Sequence, residues 1–485
     1  MTLLALTALA LAIGLTTMLL AERPVAARVL GITGAVAVFV VALLTPDDDS
    51  FTIGGLALVG TSALRSLALA WSAGAALLGL LEVAAAGSVV VVGPSLTGLA
   101  VAILALASKD PGTSFAALSA GGVAGIASPS LRGWLSGTSS PTRLVTATRG
   151  SLAVLGAGLL AIAVVAWGAS PIGPLGGGGF GVTPGPDRLA LGVGLLAMVT
   201  AVALRAGLIP LHLWAARFME GVTPLAVPAA FAWGTAAFVL VAIDWSQVAV
   251  SDASAGGLEH VLVVAIALVS VVLGGIAAMV HDDVEHVLGY SIVQDAAIAM
   301  LAFASLGTDV AAAARSWLIA SAAVKTAFAA WAAVVRATFG GHRLADLGGW
   351  ARRAPALGAA FLVILVAAVG LPGTALFDAR STLVFGAVSG PLGLIVLVLA
   401  LTPLGFLGRI AAAGIARMSP AVASAPPGRL TWRAVRAAGW SGSGMARVVR
   451  AVPSEVRANR VPLMALAVLA LSIVGLLISI AGPGT

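Results

Sequence analysis

The sequence contains no cysteine, only five histidines, and charged side chains at just 9% of its 485 positions. The missing cysteines exclude disulfides, thiolate metal sites and a cysteine nucleophile. The histidines stand without HExxH or paired spacing, which leaves little for zinc. No loop carries a carboxylate pair, nucleophile triad or metal cluster of catalytic spacing, so a membrane transferase or other enzyme is disfavoured. Flavin, iron-sulfur and nicotinamide signatures are also absent, and no cofactor is expected; any redox chemistry would belong to partners.

What is present in excess is apolar surface. With 60% hydrophobic residues and a mean hydropathy of +1.10, no soluble fold has enough interior to hide it. The chain reads as an all-α polytopic membrane protein whose first partner is the lipid bilayer. The formal charge of +7 would suggest nucleic acid in a soluble protein. Here most arginines lie between apolar runs, where they set orientation, and no nucleic-acid partner is implied. Met1 to Leu20 lacks a basic leader and a clear cleavage site, so it reads as a retained first span.

At about 20 apolar residues per span the chain yields about fourteen helices. The basic loops Glu22 to Arg28, Leu131 to Arg149, Arg336 to Arg353 and Arg409 to Arg460 share one face only if Phe51 to Val92 crosses once, with Phe51 to Arg65 an interfacial or re-entrant lead-in. Positive charge then marks the cytoplasmic side, and both termini lie outside. So do Asp47 to Asp49, the glycine-rich loop Pro171 to Asp187 and the loop with Asp244 and Asp252. The loop Arg409 to Arg460 is either a positive anchor or an amphipathic helix on anionic headgroups or a partner subunit. Trp71, Trp134, Trp167, Trp214, Trp245, Trp317 and Trp350 fall mainly near helix ends, as interface anchors do.

Two apolar runs are interrupted. Leu204 to Pro224, LRAGLIPLHLWAARFMEGVTP, sets Arg205, His212, Arg217 and Glu220 around a Gly207/Pro210 break. Val369 to Arg380, VGLPGTALFDAR, breaks at Gly370, Pro372 and Gly373, with Asp378 and Arg380 following. Proline removes a helical donor and glycine loosens the backbone, and in hydrocarbon the freed groups need protein or water. Paired interrupted helices are the best sequence pointer to a transport pathway.

Several stretches, in order from about Leu104 to Arg409, resemble the antiporter-like membrane subunits of respiratory complex I, the multi-subunit sodium/proton antiporters and the membrane-bound hydrogenases. They are Arg205 with Pro210, Leu211, His212, Leu213, Trp214 and Thr223, Pro224; then Asp283 to Ile292, DVEHVLGYSI; then Val324, Lys325, Thr326, Ala327, Phe328. Asp346, Leu347, Gly349, Arg352 and Pro355 follow, and finally Gly370, Leu371, Pro372, Gly373, Phe377 and Arg380. The resemblance implies fourteen helices with two inverted five-helix repeats, each holding one broken helix. The expected division is 1–93 for leading helices, 94–243 and 258–409 for the repeats, 410–460 for a basic cytoplasmic loop and 461–485 for a last helix. It also implies proton transport in a bacterial cytoplasmic membrane, beside other membrane subunits of a complex I-like assembly.

The chain departs from that family where protons are carried. In register, the family's fifth-helix glutamate falls near Ala120 and its eighth-helix lysine near Ala236, while the lysines at both breaks are Arg205 and Arg380. Arginine stays protonated, with a reference pKa of about 12.5 or more, so it steers a proton better than it carries one. The midplane groups left are His212, Lys325, Asp295 and Asp378, with Glu220, His281, Asp282, Asp283, Glu285 and His286 toward the cytoplasmic mouth. A carboxylate inside a span costs about 2.5 to 3.5 kcal/mol unless paired, so Asp295 should face inward with Lys325 as partner. Arg205 and Glu220 read equally as a local ion pair and as conduction groups, and His212 as a relay or a hydrogen-bonding residue of the break. Three functions stay open: a proton-conducting subunit, a non-conducting scaffold with the same fold, and a cation/proton exchanger.

Overall fold

The computed structural model describes residues 1–85, 91–135, 141–169, 188–250, 257–424 and 460–482. The glycine-rich loop Pro171 to Asp187, Asp252 and most of the basic loop after Ser424 lie outside the described residues, as do the side chains of Trp134, Arg217 and Glu220.

Helices dominate because long apolar runs in hydrocarbon must satisfy their backbone internally. They are α1 (Thr2–Leu19), α2 (Pro24–Leu44), α3 (Ser62–Ala85), α4 (Val92–Ala107), α5 (Pro111–Leu135), α6 (Pro141–Gly168), α7 (Arg188–Ala206), α8 (Leu213–Gly221), α9 (Gly234–Ala249) and α10 (Leu258–Val280). The second half adds α11 (Val284–Met300), α12 (Thr308–Phe339), α13 (Trp350–Arg353), α14 (Pro355–Val369), α15 (Ala375–Ala387), α16 (Gly390–Leu399), α17 (Pro403–Ile415), α18 (Pro420–Ser424) and α19 (Arg460–Ala481). The protein is an integral membrane protein. Among the described residues ten helices are long and apolar enough to cross a membrane, or eleven if Leu344–Arg353 and Pro355–Val369, bent by 111°, count as one span. The expected fourteen is not reached by length and composition, because Val92–Ala107 and Ala190–Ala206 are short.

Between Phe51 and Val92 the described residues hold one helix long and apolar enough to cross a membrane, α3, and its lead-in is a strand pair. Ser50–Ile53 (β1) and Leu56–Val59 (β2) pair antiparallel around Gly54 and Gly55, both at positive φ, the turn geometry glycine adopts without steric cost.

The long helix α12 is the hub. It is buried throughout its most apolar stretch, whereas only about a third of α2 and of the span Gly390–Ile415 is buried. Its inward faces carry alanine, and small residues let helices approach closely where lipid offers no hydrophobic drive. The tryptophans correct the sequence reading. Trp71, Trp214, Trp245, Trp317 and Trp350 are buried, and the indole N–H groups of four find partners inside the bundle: Trp71 donates to Ser95 Oγ, Trp214 to Leu204 O, Trp317 to Asp295 O and Trp350 to Ile410 O. They are core residues with a polar tip rather than interface anchors.

Candidate functional site

Both interruptions found in the sequence are breaks in the fold, and each is finished by an inward-pointing cation. At the first, α7 ends where Gly207 takes φ +65°. Pro210 offers no N–H, the Ile209 N–H donates to Ser270 Oγ at 3.1 Å, and the freed Leu204 carbonyl accepts the Trp214 indole at 2.9 Å. Arg205 is buried and donates to Thr235 Oγ1 at 3.0 Å and to the Ala230 carbonyl at 3.3 Å. Ala230 lies in a π-helical turn, Pro228–Trp233, that opens the backbone before α9; such turns collect at functional sites.

At the second break, Gly370 (φ +59°) and Gly373 (φ +87°) separate α14 from α15, and Thr374 caps α15 by accepting the Phe377 N–H. Arg380, fully buried, reaches back to donate to Val369 O at 2.7 Å and Ala368 O at 3.4 Å. A cation thus sits on the negative end of α14, where the helix dipole favours it. Two positions earlier on the same helix, Asp378 is exposed. The sequence reading put it at the midplane, but a two-residue step turns a helix by more than half a circle, so an inward Arg380 carries Asp378 outward.

Between the breaks lies an ion pair. Lys325 Nζ on α12 is 3.0 Å from Asp295 Oδ2 on α11, the pairing expected from the sequence, and both groups are buried. A cavity of about 20 Å³ opens beside the pair, lined by Thr235, Ser321, Lys325, Asp295 and apolar neighbours. That is room for about one water molecule, with enough polar partners to hold it. Thr235 closes the circuit, since it lines the cavity and also accepts from Arg205. On the other side the Trp317 indole donates to the Asp295 carbonyl at 2.8 Å, and the Arg380 guanidinium lies 5.0 Å over the Trp317 ring, close enough to Asp295 for their charges to interact. A continuous buried polar axis runs Arg205, Thr235, cavity, Lys325/Asp295, Trp317, Arg380.

His212 stands apart from this axis. It is half-buried in the turn before α8, with Nδ1 buried and unpartnered. The predicted mouth residues do come together, at the junction of α10 and α11. His281 stacks on His286 (5.0 Å) and Tyr290 (5.2 Å). Asp283 caps α11 by accepting the Glu285 N–H and pairs with His286 (3.6 Å) and His342 (3.3 Å); Glu285 pairs with Arg336, and Asp282 with Arg409. Burial holds the His281 imidazole below its ordinary value, reinforced by the His286 charge. Burial pushes Asp283 up, but hydrogen bonds from His286 and the Glu285 N–H with the charge of His342 outweigh it, and the carboxyl lies below its ordinary value. Glu82, a second buried acid, accepts the Val91 and Val92 N–H groups at the start of α4 and lies 3.7 Å from Arg28, so it serves as a buried helix cap.

Sequence reading missed Thr235 and Ser321, because hydroxyls in apolar runs are common, and assigned Trp317 to the membrane interface rather than to the site. One signal was available. A Cβ on Gly234 would lie 2.5 Å from Arg205 Nη2, so the glycine before Thr235 marks the guanidinium's seat.

The fold and this axis define a class: polytopic helical membrane proteins in which two broken helices flank a buried charged pair. Residues 182–405 match the family described as NADH:quinone oxidoreductase/Mrp antiporter, TM. A similar curated relative, NADH-quinone oxidoreductase subunit N 1 of Streptomyces griseus subsp. griseus, is 30% identical over 228 residues, covering 47% of each chain. The chain thus spans about half the length of the curated relatives it matches. Two solved structures share the fold over nearly the whole chain. One is a chain of the archaeal membrane-bound sulfane sulfur reductase, with TM-score 0.68, 16% identity and 97% of both chains covered. The other is a chain of respiratory complex I from Thermus thermophilus, with TM-score 0.64, 19% identity and 100% of both chains covered.

Proposed function

We propose that this protein is a proton-conducting membrane subunit of a complex I-like assembly, in which Lys325 and Asp295 are the exchangeable proton site. The observation that carries the reading is their buried contact beside a water-sized cavity, midway between two helix breaks. Across 3.0 Å a proton passes from ammonium to carboxylate without a net change in charge. When a neighbouring subunit's charge separates the pair, Lys325 can lose its proton to the cavity water and regain one later. Arg205 and Arg380 are permanent cations on either side, so the proton resides on the pair between them. Redox chemistry would reside in partner subunits, as in the assemblies whose names the relatives carry.

Within this reading 94–243 and 258–409 are the two repeats, 1–93 the leading helices, and 410–460 the basic loop before the last helix, 461–485. The membrane is a bacterial cytoplasmic one, with both termini outside. Protons enter at His281, Asp282, Asp283, Glu285 and His286, while His212, Glu220 and Asp378 stand as secondary groups.

The test is proton translocation by membrane vesicles containing the assembled complex, with Lys325→Ala and Asp295→Asn compared with the parent. Translocation should fall at least tenfold in both, which is a barrier change of about 1.4 kcal/mol. Normal translocation with normal assembly removes the pair from the path. One observation favours a second reading, a non-conducting scaffold. Both residues that replace the family's lysines are bound to backbone carbonyls or a hydroxyl, as fixed structural caps would be. That reading predicts assembly defects without a translocation defect of their own. A cation/proton antiporter subunit, the other alternative, predicts sodium-driven flux from the purified chain in liposomes.

A further inference from the structure

The span formed by α16 and α17 is interrupted too. Pro403 lacks an N–H, and the chain tightens into short-range turns, Leu401 N–H to Val398 O and Thr402 N–H to Leu399 O. The interruption sets Thr402 against α11. The Gln294 amide, fully buried, donates to Thr402 Oγ1, and Gln294 is the residue immediately before Asp295. The clamp needs α10 to stand aside: a Cβ on Gly275 would lie 2.6 Å from Thr402 Oγ1, while one on Gly274 would lie 3.6 Å from Gln294, in ordinary contact.

The same span is tied to the α10–α11 hairpin a second time. Arg409 donates to the His281 carbonyl at 2.7 Å and to Asp282 at 2.6 Å. One element therefore touches the titratable cluster at the helix ends and the residue adjoining the buried ion pair. Its other side is open, with Leu392, Leu394, Ile395, Val398 and Leu404 all more than half exposed.

We infer that Gln294, held by Thr402, is a positioning residue that fixes the α11 backbone so that Asp295 meets Lys325. The inference rests on the proposed role of that pair. Among the described residues the Gln294 amide donates to one acceptor, the half-buried Thr402 hydroxyl, so its loss frees α11 to rotate, and a near-contact geometry is sensitive to shifts of about 1 Å.

Valine and serine at Thr402 separate this from packing. Thr402→Val keeps the shape and removes the acceptor; Thr402→Ser keeps the acceptor and loses a methyl. Measured as proton translocation by vesicles holding the assembled complex, Thr402→Val and Gln294→Leu should fall about fivefold, Thr402→Ser should match the parent, and Gly275→Ala should resemble Thr402→Val. Each is normalised to assembled subunit. The pH profile of translocation should also move in Thr402→Val and stay in place in Thr402→Ser. If valine matches the parent while serine is impaired, or both match it while Asp295→Asn is impaired, the positioning role is overturned. If Asp295→Asn itself translocates normally, the proton-site reading has failed instead.

Discussion

Two sets of ion pairs in this molecule differ more by where they sit than by how close they are. Arg409 and Asp282 meet at 2.6 Å, nearer than Lys325 and Asp295 at 3.0 Å. Yet Asp282 is 73% exposed and Asp295 about 10%. Water screens the first pair, and such contacts are worth about 0 to 1 kcal/mol. The second has left bulk water, so the two charges depend chiefly on each other, with the Arg380 charge acting on Asp295 from the far side. Distance alone would rank them the wrong way round. Dielectric surroundings decide which pair stores energy and which merely decorates a helix end.

The strongest way to break this comparison is to remove half of the buried pair. Lys325→Ala or Asp295→Ala alone leaves an uncompensated buried charge and should destabilise the chain by about 3 to 5 kcal/mol. The combined Lys325→Met, Asp295→Leu variant should recover most of that stability, since replacing a buried pair by apolar side chains is often neutral. Thermal unfolding of the detergent-purified subunit tests the prediction. A double variant as unstable as either single one would mean that the pair is not electrostatically coupled. If the double variant is stable, assembled and still translocates, the scaffold reading gains.

Next in size are the arginines, which resemble neither pair. Arg380→Met leaves the Ala368 and Val369 carbonyls without their donor in a buried place, at a cost of about 1 to 3 kcal/mol. Arg380→Lys should be milder, because an ammonium can still reach one carbonyl. Equal losses for methionine and lysine would show that the guanidinium's shape, not its charge, finishes the break. Gly234→Ala approaches the first break from the opposite direction, by crowding. The new methyl must push the Arg205 guanidinium off its seat near Thr235, and such overpacking costs about 1 to 3 kcal/mol. Because the guanidinium end is flexible, the lower end is expected, and wild-type stability would mean that Arg205 has a second resting place.

The contrast also explains what could be read from the residues. Lys325, Asp295, Arg205 and Arg380 were legible because a charge inside an apolar run has to be paid for, and the breaks because glycine and proline have backbone consequences that no environment cancels. The cluster His281 to His286 was legible as a helix junction. Thr235, Ser321, Thr402 and Gln294 were not, because a hydroxyl or amide in a span declares its partner only when another helix arrives beside it. The tryptophans misled for the same reason: position along a helix does not tell which side faces lipid. Ser50–Ile53 and Leu56–Val59 lie in what reads only as an interfacial or re-entrant lead-in, since a short apolar run fits either period.

The smallest expected effect lies at the exposed end and depends on pH. His281 titrates below its ordinary value in the fold, so between that lowered value and about 6.5 the unfolded chain binds more protons than the native one. Stability therefore falls as the pH drops through this window and is regained as it rises. Asp283 also titrates low, which makes its contribution present above about 3.9 and lost only as pH falls through its lowered folded value. The two groups act in separate ranges. His281→Gln should flatten the slope just below pH 6.5 while leaving the acid limb, and Asp283→Asn should do the reverse, as read from unfolding midpoints across a pH series. Burial, which salt does not screen, is the main cause at His281, so raising salt should leave its effect nearly unchanged and should trim only the share that the His342 charge contributes at Asp283. An unchanged slope in His281→Gln would mean that His281 is not the group titrating near neutrality, and would pass that role to another member of the cluster such as His286 or His342.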